Sequence, residues 1–219
     1  MRITGGSRRG WKLVSWEEAG IRPMRDFVRT ALFNILGDLV PKARFLDLFC
    51  GTGSVGLEAL SRGAAECVFV DSATEACAIT RRNLDALGFL DRGKVIQADF
   101  AEGIDYLQRR GKMFDLVFVG PPYERGLAEA ALRLLGDGRL VVEDAIIVTE
   151  VYKKEETASV YGRLTRFEQR VYGDNRLVFY RANESQAQLG EAGSEAVAQT
   201  LSPYETEAFT AEHAPECRG

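Results

Sequence analysis

Histidine is almost absent from this chain: of 219 residues only His213, far out in a polar tail, is one. A serine–histidine triad therefore has no histidine at hand in the body of the protein. Cysteine is scarce too. Cys50, Cys67, Cys77 and Cys217 show no CxxC spacing, which excludes a zinc site or a disulfide framework of the usual kind, and no metal is expected. No apolar run approaches the roughly 18–20 residues of a membrane span. The opening Met1-Arg2-Ile3-Thr4-Gly5-Gly6 lacks the apolar core of a secretory signal, so a cytoplasmic protein with no membrane partner is expected.

Basic charge is also in deficit, but unevenly. The net charge of −4 hides an acidic tail, since residues 182–219 hold seven glutamates and one arginine. Residues 1–30 hold seven basic side chains against three acidic ones, a concentration that suits a polyanion. A solvated surface hairpin explains the same charges equally well. The tail carries Ala, Glu, Gln, Gly and Ser, the composition of a segment with little fixed structure, though Tyr204 and Phe209 are available to dock it.

What the chain does have is a regular alternation. Residues 1–23, with Gly5-Gly6, Gly10 and Gly20, read as a small β-hairpin arm. Residues 25–36 space Phe27, Val28, Ala31, Leu32, Ile35 and Leu36 as one helix. Strands are then predicted at 45–49, 67–70, 94–97, 114–119 and 145–151, and helices at 56–62, 74–87, 101–109 and 126–135. Strands alternating with helices mean βαβ units, a parallel sheet and right-handed crossovers. Residues 164–172 and 176–181 flank Gly173-Asp174-Asn175 as a closing antiparallel hairpin. The resulting division is an arm at 1–23, one α/β domain at 24–181 and a tail at 182–219. No dimer interface stands out, so a monomer is expected.

The run 45–56, Phe-Leu-Asp-Leu-Phe-Cys-Gly-Thr-Gly-Ser-Val-Gly, is a buried strand breaking into glycines before a helix. Such a turn lets a ligand press on bare backbone at a helix N-terminus. Gly51-x-Gly53-x-x-Gly56 fits the dinucleotide fingerprint, and Asp71, twenty residues after Gly51, supplies an acid for a ribose. Asp47 argues otherwise. An acid inside the strand suits a cofactor with an ammonium group, which S-adenosylmethionine carries and a nicotinamide dinucleotide does not. Asp71, with Ser72, ends the second strand and can accept both ribose hydroxyls. Asp99 follows the third and can accept the adenine amine, with Phe100 against the ring. Both acids are equally placed to cap a helix.

The run 114–123 ends an apolar strand in Gly120-Pro121-Pro122-Tyr123. It resembles the (Asp/Asn)-Pro-Pro-(Tyr/Phe) motif of enzymes that methylate exocyclic amines. The lone pair of such an amine is delocalised into its ring. Two acceptors on its N–H bonds, one a side chain and one a proline-turn carbonyl, aim that lone pair at the methyl group. The aromatic residue stacks on the unstacked base. Gly120 has no side-chain acceptor, and loss of such a group costs on the order of 10²–10⁴ in rate. Another group or a water takes the role, or the chain binds without efficient turnover, or the position is a variant; the sequence leaves these open.

Four segments in order resemble the RsmD-type ribosomal RNA guanine-N2 methyltransferases: residues 2–13, Arg22-Pro23-Met24-Arg25-Asp26-Phe27-Val28-Arg29, Asp47-Leu48-Phe49-Cys50-Gly51-Thr52-Gly53, and Gly56 through Ala64. The departures are Met24 for threonine, Thr30 for glutamate, and Gly120. The resemblance implies a Rossmann-like class I fold with a mostly parallel seven-stranded sheet and a reversed terminal strand. It implies S-adenosylmethionine as cofactor, held by Asp47, Phe49, Cys50, Gly51, Gly53, Asp71, Ser72, Asp99 and Phe100. It implies small-subunit ribosomal RNA as partner and the N2 amine of a guanine as target, with Gly120, Pro121, Pro122 and Tyr123 at the reacting end. Arg2, Arg8, Arg9, Lys12, Arg22, Arg25 and Arg29 are the candidate phosphate contacts. For Arg25 and Arg29 a solvated helix face is the other reading. A DNA amine methyltransferase and a binding-only relative are the alternatives.

Overall fold

The apolar run at 45–49 becomes the centre of a sheet. The structure, a computed structural model, describes residues 1–15, 24–123 and 125–184. Arg22 and the expectations for the acidic tail from residue 185 onward lie outside the described residues. Five strands, β1 (Arg44–Leu48), β2 (Glu66–Asp71), β3 (Gly93–Gln97), β4 (Phe114–Val119) and β5 (Val141–Tyr152), run parallel. Helices α2 (Ser54–Ser61), α3 (Thr74–Leu87), α4 (Phe100–Arg109) and α5 (Leu127–Asp137) connect them, and α1 (Asp26–Leu36) precedes them. The strands read as near-continuous apolar runs because both faces are covered.

Strand order is β3-β2-β1-β4-β5-β8-β7-β6, where β6 is Val160–Tyr161, β7 Leu164–Tyr172 and β8 Asn175–Ala182. The order turns back between β1 and β4, which opens a crevice beyond their carboxyl ends. β8 pairs antiparallel with both β5 and β7. Among the described residues the sheet thus has eight strands where seven were expected. The extra one, β6, is two residues long, too short to show any period, and pairs with the start of β7. Strand β5 also begins at Val141 rather than 145. The polar Glu143-Asp144 pair looks like a break, but the chain continues through a register shift against β4 and a left-handed Asp144 (φ 59°).

One apolar layer joins α1, α2 and α3 to the sheet through Val28, Leu32, Phe33, Val55, Leu57 and Leu84. The other joins α4 and α5 through Ile104, Leu107, Leu132 and Leu135. Gly56 is required by the first layer: a Cβ there would meet Phe69 Cε1 at 2.3 Å and Cys67 Sγ at 2.5 Å. The N-terminal segment adds Ile3 and Leu13 to that layer and carries one antiparallel bridge, Arg2 to Lys12, around a 3-10 turn at Gly6–Arg8. Among the described residues no helix is long and apolar enough to cross a membrane.

Candidate active site

The loop after β1 is closed on itself by the Gly53 amide donating to Cys50 O at 2.8 Å, and its neighbours hold it in place. Phe49 adopts a left-handed φ of 62°, a strained backbone for an aromatic residue, and Gly51 (φ 54°) and Gly53 (φ 76°) turn the chain into α2. The Cys50 amide donates to Val70 O at 3.1 Å, and the Gly51 amide to Asp71 Oδ2 at 2.9 Å. From α3, Thr80 Oγ1 donates to Gly51 O at 3.0 Å and Asn83 Nδ2 to Thr52 O at 3.0 Å. A Cβ placed on Gly51 would meet nothing within 4 Å, so bare backbone faces open space there.

Asp47 stands behind this loop. It is 1 % exposed, and its Oδ2 accepts the Gly56 amide at 2.9 Å. Burial pushes its carboxyl up to about 8, against the lowering effect of the Gly56 hydrogen bond. In the structure it braces the start of α2. Cys50 is also buried, and burial pushes its thiol well up, so it is no thiolate nucleophile. Asp71 accepts Ala73 N with Oδ1 at 2.9 Å while Oδ2 serves Gly51, so it caps one turn and fixes another. Asp99 caps α4 through Ala101 N at 2.9 Å. Phe49 and Phe100 pair with ring centroids 5.1 Å apart. Asp47, the 49–53 loop, Asp71, Ser72, Asp99 and Phe100 thus lie along the carboxyl ends of β1, β2 and β3.

The proline lip sits on the same rim, one strand over. Leu48 and Val119 are register partners, and the Gly120 amide donates to Leu48 O at 3.2 Å. Pro121 is buried, whereas Pro122 and Tyr123 are exposed. The Tyr123 ring lies 6.4 Å from that of Tyr152, and its hydroxyl bonds to Glu150.

Two of the candidate phosphate contacts are structural instead. Arg29 is fully buried because Glu58 reaches it across the fold: its Nε faces Glu58 Oε2 at 3.4 Å, and its Nη2 donates to Asp26 and Arg2 O. Arg8 donates through Nε to Leu87 O at 2.8 Å and stacks on Trp11 and Phe89. Arg2, Arg9, Lys12 and Arg25 remain exposed.

Four residues not singled out in the sequence shape the site. Glu58 accepts Thr4 N at 2.8 Å and Thr4 Oγ1 at 2.9 Å, which clamps the N-terminal segment to α2. Asn83 accepts Val14 N at 2.8 Å while donating to Thr52 O, so the same segment is tied to the glycine loop. Thr80 fixes Gly51, as above. Glu150 lies buried at the end of β5. For Glu58 the sequence shows only a surface-like i, i+4 pair with Arg62. For Glu150 a signal was present: like Asp47, it is an acid set in a largely apolar run near the carboxyl end of its strand.

A family model described as "Conserved hypothetical protein 95" matches residues 1–181. Ribosomal RNA small subunit methyltransferase D of Escherichia coli (strain K12) is 33 % identical over 195 residues, covering 89 % of this chain and 94 % of that one. The solved structure of the hypothetical protein TTHA0928 of Thermus thermophilus matches with a TM-score of 0.71 at 32 % identity, over 82 % of this chain and 98 % of that one. An RNA methyltransferase from Salinibacter ruber, in complex with S-adenosyl-L-homocysteine, shares the fold with a TM-score of 0.59 at 14 % identity, over 76 % and 97 % of the two chains.

Proposed function

This chain belongs to the RsmD-type family described as conserved hypothetical protein 95, and we propose that it transfers a methyl group from S-adenosylmethionine to ribosomal RNA, at the exocyclic N2 amine of a guanine in the small subunit. The observation that carries this reading is the pairing of Leu48 with Val119. It sets an open glycine loop and a proline lip on adjacent strands, joined by the Gly120–Leu48 hydrogen bond.

When bound, S-adenosylmethionine supplies an electrophilic methyl group on a sulfonium and leaves as a neutral thioether. The residues present fit it. The backbone at Gly51 faces open space, and the loop is preorganised by Asp71, Thr80 and Asn83. Asp71 has two backbone donors on its carboxylate and acceptor capacity left for ribose hydroxyls. Asp99 Oδ2 is left for the adenine amine, beside the Phe49–Phe100 pair. The buried Asp47 holds the Gly56 amide and so fixes the loop's entry into α2, and a cationic donor beside the loop would favour its ionised form.

On the acceptor side, the Pro121 carbonyl takes one N–H of the amine, and the half-exposed Tyr123 ring stacks on the flipped base. Exposed Arg2, Arg9, Lys12 and Arg25 hold phosphates and position the RNA without reading its sequence. The chain acts as a monomer in the cytoplasm, where ribosomal subunits are built. The test is labelled methyl incorporation into small ribosomal subunits beside duplex DNA. Label in the RNA supports the reading. Label in DNA alone, or tight cofactor binding with no label anywhere, replaces it with the DNA enzyme or the binding-only relative.

A further inference from the structure

The proline lip lacks its side-chain acceptor, and the structure offers a carboxylate one strand away. Val119 and Thr149 are register partners in the parallel pair β4–β5, so Gly120 and Glu150 come next, side by side. Neighbouring strands are about 4.8 Å apart. Side chains alternate along a strand, and Phe118, Val148 and Leu177 all belong to the layer that faces α1. A side chain at 120 and the side chain of Glu150 therefore share one face of the sheet, at its carboxyl end.

Glu150 is no ordinary strand residue. It is 6 % exposed, accepts Asn175 Nδ2 at 2.5 Å and bonds Tyr123, the aromatic residue of the lip. Two donors occupy a group with about four acceptor positions. Burial raises its pKa, which makes it a better proton acceptor than an exposed carboxylate. Position 120 itself has no room: a Cβ there would meet Phe118 Cε1 at 2.6 Å, and Phe118 is a core residue.

We propose that Glu150 is the side-chain acceptor for the target amine, replacing across the β4–β5 pair the group that Gly120 lacks. The assignment rests on the methyl-transfer reading above. In the reaction the nitrogen lone pair forms the new N–C bond as the C–S pair returns to sulfur. The nitrogen then carries one proton too many. Glu150, already accepting the N–H that the Pro121 carbonyl does not, takes that proton and later yields it to water.

The experiment measures single-turnover methylation of under-methylated small ribosomal subunits, with cofactor affinity measured by calorimetry on the same preparations. Glu150→Gln keeps size and the Asn175 contact. Its rate is expected to fall on the order of 10²–10⁴-fold, with cofactor affinity unchanged. A Glu150→Gln protein that binds cofactor and methylates at the wild-type rate overturns the proposal. Should that variant fail to bind cofactor because it does not fold, Glu150→Asp decides: withdrawal of the carboxylate by one methylene is expected to cost on the order of 10²-fold, and a wild-type rate overturns the proposal. A wild-type protein that methylates no RNA overturns the underlying function instead, so the two failures are distinguishable.

Discussion

Arg29 Nε and Glu58 Oε2 face each other at 3.4 Å with both side chains wholly buried, one from α1 and the other from α2. Glu58 also accepts from Thr4 and Arg62, so one carboxylate joins the N-terminal segment, α1 and α2. Arg29 Nη1 has no hydrogen-bond partner among the described residues, which makes its charge dependent on Glu58 and Asp26. Glu58→Gln leaves a buried guanidinium short of a counter-charge. Denaturant unfolding is expected to show a loss of about 3–5 kcal/mol.

Asp47 makes the cofactor-free protein sensitive to pH. Its carboxyl sits at about 8 in the fold against an ordinary 3.8. Between those values the folded state holds a proton that the unfolded state has released, so stability falls as pH rises from about 4 through about 8. Asp47→Asn removes this penalty. Its melting temperature without cofactor is expected to exceed that of the wild type by a margin that widens from pH 5 to pH 9.

The same residue acts in the opposite direction on the cofactor. A cationic ligand favours the ionised carboxylate, so S-adenosylmethionine affinity is expected to rise with pH up to about 8. In Asp47→Asn calorimetry is expected to find weaker binding, by about 10-fold (~1.4 kcal/mol), with that pH dependence gone.

The N-terminal cations divide by burial. Arg8→Ala loses a hydrogen bond to Leu87 O and stacking on two rings, and is expected to lower stability by about 1–2 kcal/mol. Arg9→Ala and Lys12→Ala, at exposed positions, are expected to leave stability within about 0.5 kcal/mol. Each is expected instead to reduce the salt dependence of RNA binding by about one phosphate contact. Filter binding across a salt series, beside thermal melts, checks both halves.

Gly120→Asp is not a simple restoration. With Phe118 Cε1 2.6 Å from the new Cβ, the single variant is expected to lose about 1–3 kcal/mol and gain no rate. Phe118→Val relieves that contact. In the double variant the cost of the new aspartate is expected to be smaller than in the single one, read as a double-mutant cycle on unfolding.

Much of the scaffold was legible because its signals are local. The apolar runs of β1, β2 and β4 and the glycine turn after Phe49 report themselves within a few residues, and α3 was expected and found at Thr74–Leu87. What escaped depends on contacts made at long range. Arg29 looks like any arginine on a helix until Glu58, 29 residues on, is folded against it. Arg8 is likewise indistinguishable in sequence from Arg9, yet only Arg8 reaches Leu87 O. The neighbourhood of Gly120 and Glu150 exists only through the register of β4 on β5. Two-residue β6 has no period to detect.

The most direct test digests small-subunit RNA after reaction with labelled cofactor and identifies the modified nucleoside by mass spectrometry. N2-methylguanosine at one site is the expected product. Label in any other nucleoside, or no label from a protein that binds S-adenosylmethionine, would contradict the proposed function.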